Sequence, residues 1–156
     1  MRTGWAIGAM VIAALGAAAP AYAHHSFAAE FDQKKVVSLV GTVTEMEWVN
    51  PHAVIHLEVK NADGTITNWA IEGNTPNSLL RAGLTKKSLA PGTGLAVRGY
   101  LAKSGDNKIS ASAIMLQDGR TLSVGGHEAN AVLGWISSDE ELWKKQLAVW
   151  AANTQR

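Results

Sequence analysis

The chain has 156 residues, with 14 Lys and Arg against 13 Asp and Glu, no cysteine and a mean hydropathy of +0.01. The length suits a single domain with one core, and the lack of cysteine excludes disulfides and thiolate metal sites. A charge balance this near neutral is read as setting nucleic acid aside, because phosphate affinity comes chiefly from Lys and Arg.

Residues 1–23 read as a secretory signal peptide. Arg2 supplies the positive start, "WAIGAMVIAALGAAA" the apolar stretch, and Pro20 breaks it before the small-residue site Ala21-Tyr22-Ala23. The alternative is an uncleaved anchor, but the run before Pro20 is short of the roughly 20 apolar residues a spanning helix needs. Cleavage after Ala23 places the protein in the periplasm or outside the cell, with no stable membrane span. It leaves 133 of 156 residues, and losing Arg2 takes the 14 basic side chains to 13, equal to the acidic ones.

Residues 24–35 form a lead-in with no clear period. From Val36 the pattern is that of strands. "VVSLVGTVTEMEWV" (36–49) is rich in Val and Thr, with Gly41 at a position that permits a bend. Asn50-Pro51 marks a turn. In "HAVIHLEVK" (52–60), Ala53, Ile55, Leu57 and Val59 point one way and His52, Val54, His56 and Glu58 the other. "NADG" is a hairpin turn and "TITNWAIE" (65–72) the returning strand.

"NTPNSLLRAGL" (74–84) predicts a helix of two to three turns, capped by Thr75, with Pro76 in its first turn and Gly83 at its end. "LAVRGYLA" (95–102) and "KISASAIMLQ" (108–117) are the next strands, and "TLSV" a short last one. The core of the domain thus spans residues 36–124. Its order, β-β-β-α-β-β, is that of the OB-fold, a mainly β, five- to six-stranded Greek-key barrel. A small open sandwich or a lipocalin-like half-barrel would use the same strands.

Residues 125–156 form a tail. Ser138-x-x-Glu141 is a capping box that opens a C-terminal helix over about 139–153, with Leu142, Trp143, Leu147 and Trp150 on one side and Lys144 and Lys145 opposite. Such a helix either docks on the barrel or carries exposed tryptophans to a partner.

With "HHSFAAEFD", "MEWVNPHAVIHLEV", "TPNSLLRAGL" and "GYLAKSG…ASAIMLQDGR" in view, the chain resembles an uncharacterised family of exported bacterial proteins, a domain of unknown function. The resemblance covers roughly residues 24–122, and its signature is the His-His-Ser-Phe start paired with Glu47, Trp48, Asn50, Pro51 and His52. It implies export and a single domain, and brings no activity.

Two groups of residues could carry chemistry. After cleavage, the His24 amine and imidazole form a terminal chelate, which His25 and His52 could extend; such nitrogen and oxygen donors suit Cu(II). His52 and His56 lie roughly 13 Å apart along one strand face, so they do not share an ion. Trp48, Asn50, Trp69, Glu72 and Asn77, with Glu47 and Asn74 nearby, form a possible platform for a protein or small ligand. Arg81 and Arg98 are either anion clamps or surface ion-pair partners. No nucleophile elbow, phosphate loop or H-E-x-x-H is present, and "GTGLAVRG" precedes a strand where the dinucleotide fingerprint needs a helix. The expectation is an exported, non-enzymatic binding protein, with copper as its first candidate ligand.

Overall fold

The Val- and Thr-rich stretch that opens the domain forms one long strand. In the computed structural model, which describes residues 27–125 and Ala148, β1 runs from Phe31 to Glu47 after a short helix α1, Phe27–Glu30. β2 (Val54–Lys60), β3 (Ile66–Glu72), β4 (Gly94–Ala102), β5 (Lys108–Leu116) and β6 (Thr121–Ser123) follow. Between β3 and β4 lie α2 (Pro76–Arg81) and a 3-10 turn, Lys86–Leu89.

β1 serves two neighbours. Its first part, as far as Thr42, pairs with β4, and Thr42–Glu47 pairs with β2. Gly41 sits at the changeover, where a Cβ would run into the Glu58 carbonyl of β2. Only glycine lets the two backbones approach this closely. β2 pairs with β3, β4 with β5, and β3 runs parallel to β5 through Ala70–Glu72 against Lys108–Ser110. The pairings therefore run in a ring, β1-β2-β3-β5-β4-β1, and β6 extends β5. This mainly antiparallel, OB-like arrangement is the expected fold class, with the half-barrel and open sandwich set aside by the β3–β5 pairing.

Strand alternation builds the core. Val43, Ile55, Leu57, Ile71, Leu95, Val97, Ile109 and Ile114 all point inside the ring and are at most 2% exposed. The segment between β3 and β4 plugs one end with Leu79, Leu84 and Leu89, each at most 1% exposed.

Several elements differ from the sequence reading. β1 starts at Phe31, inside the expected lead-in, because Phe31 is buried against β4 while Asp32–Lys35 bulge away from it. That bulge erases the period-2 signal. α2 has only six residues. Gly83, at φ +88°, ends it in a Schellman arrangement in which the Leu84 N–H donates to the Leu79 carbonyl. The 3-10 turn has no counterpart in the sequence reading, since four residues are too few to show a period.

The N-cap of α2 is as expected: the Ser78 N–H donates to Thr75 Oγ1 at 3.2 Å. Thr75→Ala is expected to lower stability by about 1 kcal/mol in urea denaturation, with the midpoint shifted and the slope unchanged.

Candidate functional site

The lead-in helix is held on the ring by its own aromatics. Phe27 stacks on Phe31 at 5.6 Å between centroids and meets Tyr100 of β4 edge-on at 5.3 Å. Each such pair adds roughly 0.5–1.5 kcal/mol beyond area burial. The backbone adds to it: the Lys103 N–H donates to the Glu30 carbonyl at 2.8 Å, and Lys103 Nζ donates to the Ala28 carbonyl at 2.6 Å.

From α1 a chain of charges crosses the ring end. Lys108 Nζ, on β5, donates to Glu30 Oε1 at 2.5 Å and lies 2.9 Å from Glu72 Oε2. The other Glu72 oxygen is 2.6 Å from His52 Nδ1. Lys108 also sits 5.4 Å over the Phe31 ring, a cation–π distance. One ammonium thus links α1, β5 and β3, and Glu72 passes the connection to the residue that opens the approach to β2. Burial alone would pull the Lys108 ammonium down in pKa, but its hydrogen bonds to Glu30 and Glu72 outweigh burial and hold it above its ordinary value.

The sequence reading has His52 and Glu72 as separate candidates, and the structure brings them into contact. Glu30 and Lys108 escape it. They are 78 residues apart, and only the parallel β3–β5 pairing carries Lys108 to Glu72. No motif spacing encodes such a pair.

The other expected residues scatter. His56 pairs through Nε2 with Glu47 Oε1 at 2.5 Å on the outer face of β1 and β2, so the two histidines turn to different carboxylates. Trp48 and Trp69 are half-buried and pack against the core. Asn50 is exposed in the turn, next to Val49. Asn77 is exposed on α2, and Asn74 spends its side-chain oxygen on the Thr75 N–H. Arg81 donates to Ser78 Oγ, three residues back on its own helix. His24, His25 and the helix expected over 139–153 lie outside the described residues, apart from Ala148. Among the described residues, no group of three or more His, Cys, Asp or Glu could hold a metal ion, and no helix is long and apolar enough to cross a membrane.

Several solved structures are similar to part of this chain. The complex of TiaS with an isoleucine tRNA and ATP is 18% identical over 55% of this chain, with a TM-score of 0.41; the match spans 19% of that chain. The small single-stranded DNA-binding protein from Streptomyces coelicolor is 22% identical over 53% of this chain and 91% of its own, at 0.40. The N-terminal domain of PriB protein from Thermoanaerobacter tencongensis is 21% identical over 54% and 97%, at 0.38. Among curated proteins, none matches the chain.

These neighbours correct one expectation. Nucleic acid is set aside above on net charge, yet a single-stranded DNA-binding protein is among the partly similar structures. Whole-chain charge averages over the surface, whereas single-strand binding rests on local grooves and aromatic stacking. The exclusion is withdrawn. For the chain itself, the model of a family of unknown function, DUF6152, matches residues 11–111, and the chain belongs to that family.

Proposed function

We propose that this is an exported, non-enzymatic binding protein, periplasmic or secreted, that holds divalent copper at the N-terminus made by cleavage after Ala23. The His24 amine and imidazole supply the chelate, and His25 and His52 extend it. Among the described residues no three-ligand cluster exists, so the terminal chelate is indispensable to this reading.

One observation carries it: the segment that follows the two histidines is docked. Phe27 is seated on Phe31 and Tyr100, and Glu30 begins the charge chain that ends on His52. Three residues reach at most about 11 Å, which is the span available between Phe27 and His24. Glu72 orients the His52 imidazole through Nδ1 in the way a carboxylate commonly holds a ligating histidine.

The test is calorimetric and EPR titration with Cu(II) of protein secreted with its own leader, after its mass is shown to begin at His24. One tight equivalent is expected. His24→Ala should weaken binding at least tenfold, and so should acetylation of the His24 amine, which converts it into an amide. Absence of stoichiometric copper from protein with an authentic His24 terminus would refute the reading.

A second reading is a protein- or small-ligand-interaction module at the turn after β1, where Val49 is 50% exposed beside the half-buried Trp48. Its binding would survive acetylation of the N-terminus and fall with Val49→Asp.

A further inference from the structure

The outer face of β4 and β5 is buried, although the ring's own core lies on the other side. Register places Val40, Ala96, Ala113 and Met115 on that outer face, because their neighbours Leu95, Val97, Ile114 and Leu116 point inward. Yet Ala96 and Met115 are each 1% exposed, Ala113 is 0% and Ser112 is 3%. Among the described residues, the apolar cluster around Met115 contains only Ala96 and the partly buried Val40. Val40 and Ala96 are small and lie beside Met115 in the same sheet, as the half-buried Arg98 lies beside Ala113, whereas a buried side chain ordinarily touches six or more residues. Burial this complete calls for a cover from outside the sheet.

We infer that the cover is the C-terminal segment, residues 139–153, lying with its Leu142, Trp143, Leu147 and Trp150 side on Met115, Ala96 and Val40. The chain leaves β6 at the right place. The Val124 and Gly125 N–H groups both donate to the Ser112 carbonyl, and a Cβ on Gly125 would meet the Ala111 carbonyl at 2.5 Å, so the described chain ends beside Ala111 and Ser112 of the same strand as Met115. Thirty-one residues remain after Gly125, enough to return along the sheet. Ala148 is helical and exposed. By helical spacing in the sequence it falls on the Lys144 side, opposite Leu142, Trp143, Leu147 and Trp150, which is the side that should face water in a docked amphipathic helix. On this inference the tryptophans of the tail are structural, and they are not offered to a partner.

Met115 and Met46 are the only methionines beyond the leader, which makes the test direct. Met46 lies in the core at 7% exposure and reports on global unfolding. Peroxide oxidation of each is followed by peptide mass in the whole chain and in the chain beginning at His24. Met115 is expected to be as protected as Met46 in both. Trp143→Glu with Leu147→Glu should speed Met115 oxidation at least tenfold while Met46 stays protected; Lys144→Glu with Lys145→Glu should change neither. Protection of Met115 that survives the Trp143→Glu, Leu147→Glu pair would overturn the inference. So would protection that disappears when residues 1–23 are removed, which assigns the cover to the leader, or on dilution, which assigns it to a second copy. Should the pair unfold the chain, Met46 oxidation will rise too. Trp150→Ser alone, read against Met46, then decides the point by the same criterion.

Discussion

Gly41→Val is expected to destabilise the protein by at least about 3 kcal/mol, a large share of the roughly 5–15 kcal/mol that holds a domain together. The cause is position, since the backbone at Gly41 has no special φ. Its Cβ direction points at the Glu58 carbonyl, and backbone in the middle of a paired strand has little room to yield. Restoring that room would push β2 away from β1 and tear the ladder where β1 changes partner from β4 to β2. Gly64→Val provides the contrast. Gly64 has φ +85° in the β2–β3 turn with nothing near its Cβ direction, so its cost is conformational, roughly 1–2 kcal/mol. Urea denaturation of the two variants distinguishes the causes. Equal losses would mean that the close approach of β2 is not what fixes glycine at position 41.

The same residue shows why the fold was legible. A glycine inside a Val- and Thr-rich strand signals a bend before any contact is known, and period-2 alternation in residues 52–60 assigns the core face of β2 correctly. The order of strands then limits the topologies to a few. The site was legible only in part, because its connections are long-range. His52 and Glu72 were both visible as polar residues near strand ends. Their contact depends on β2–β3 register, which sets Val54 against Glu72 and brings the approach to β2 alongside. Lys108 depends on a parallel β3–β5 pairing that spans three residues and leaves no trace in local pattern. Phe27 and Phe31 could be seen as apolar residues in a polar lead-in, but four-residue spacing alone does not say that Tyr100 receives them.

Lys108→Met is expected to loosen the N-terminal helix and to cost roughly 1–2 kcal/mol. The figure is below the 3–5 kcal/mol typical of breaking a fully buried ion pair, because the Lys108 side chain keeps 29% exposure and water screens part of the interaction. What remains after the substitution is unfavourable in itself. Glu72, 13% exposed, and Glu30 both reach toward the place the ammonium occupied, so their repulsion opposes the docking of α1. Hydrogen exchange at the Lys103 N–H, which bonds the Glu30 carbonyl, should quicken. Adding Glu30→Gln to Lys108→Met should recover part of the stability, since it removes one of the two like charges; a double variant no more stable than Lys108→Met would show that repulsion is not the cause. The pH dependence has a definite sign. A lysine held above its ordinary 10.5 on folding contributes its full stabilisation below that pH and loses it as the pH rises through the folded value. The gap in stability between the wild type and Lys108→Met should therefore be constant through neutral pH and close only in the alkaline range above about 10.5. Because the same ammonium ties α1 to Glu72 and so to His52, the variant should also weaken copper binding at the proposed terminal site, by a smaller factor than His24→Ala. It removes the tether and leaves the chelate intact.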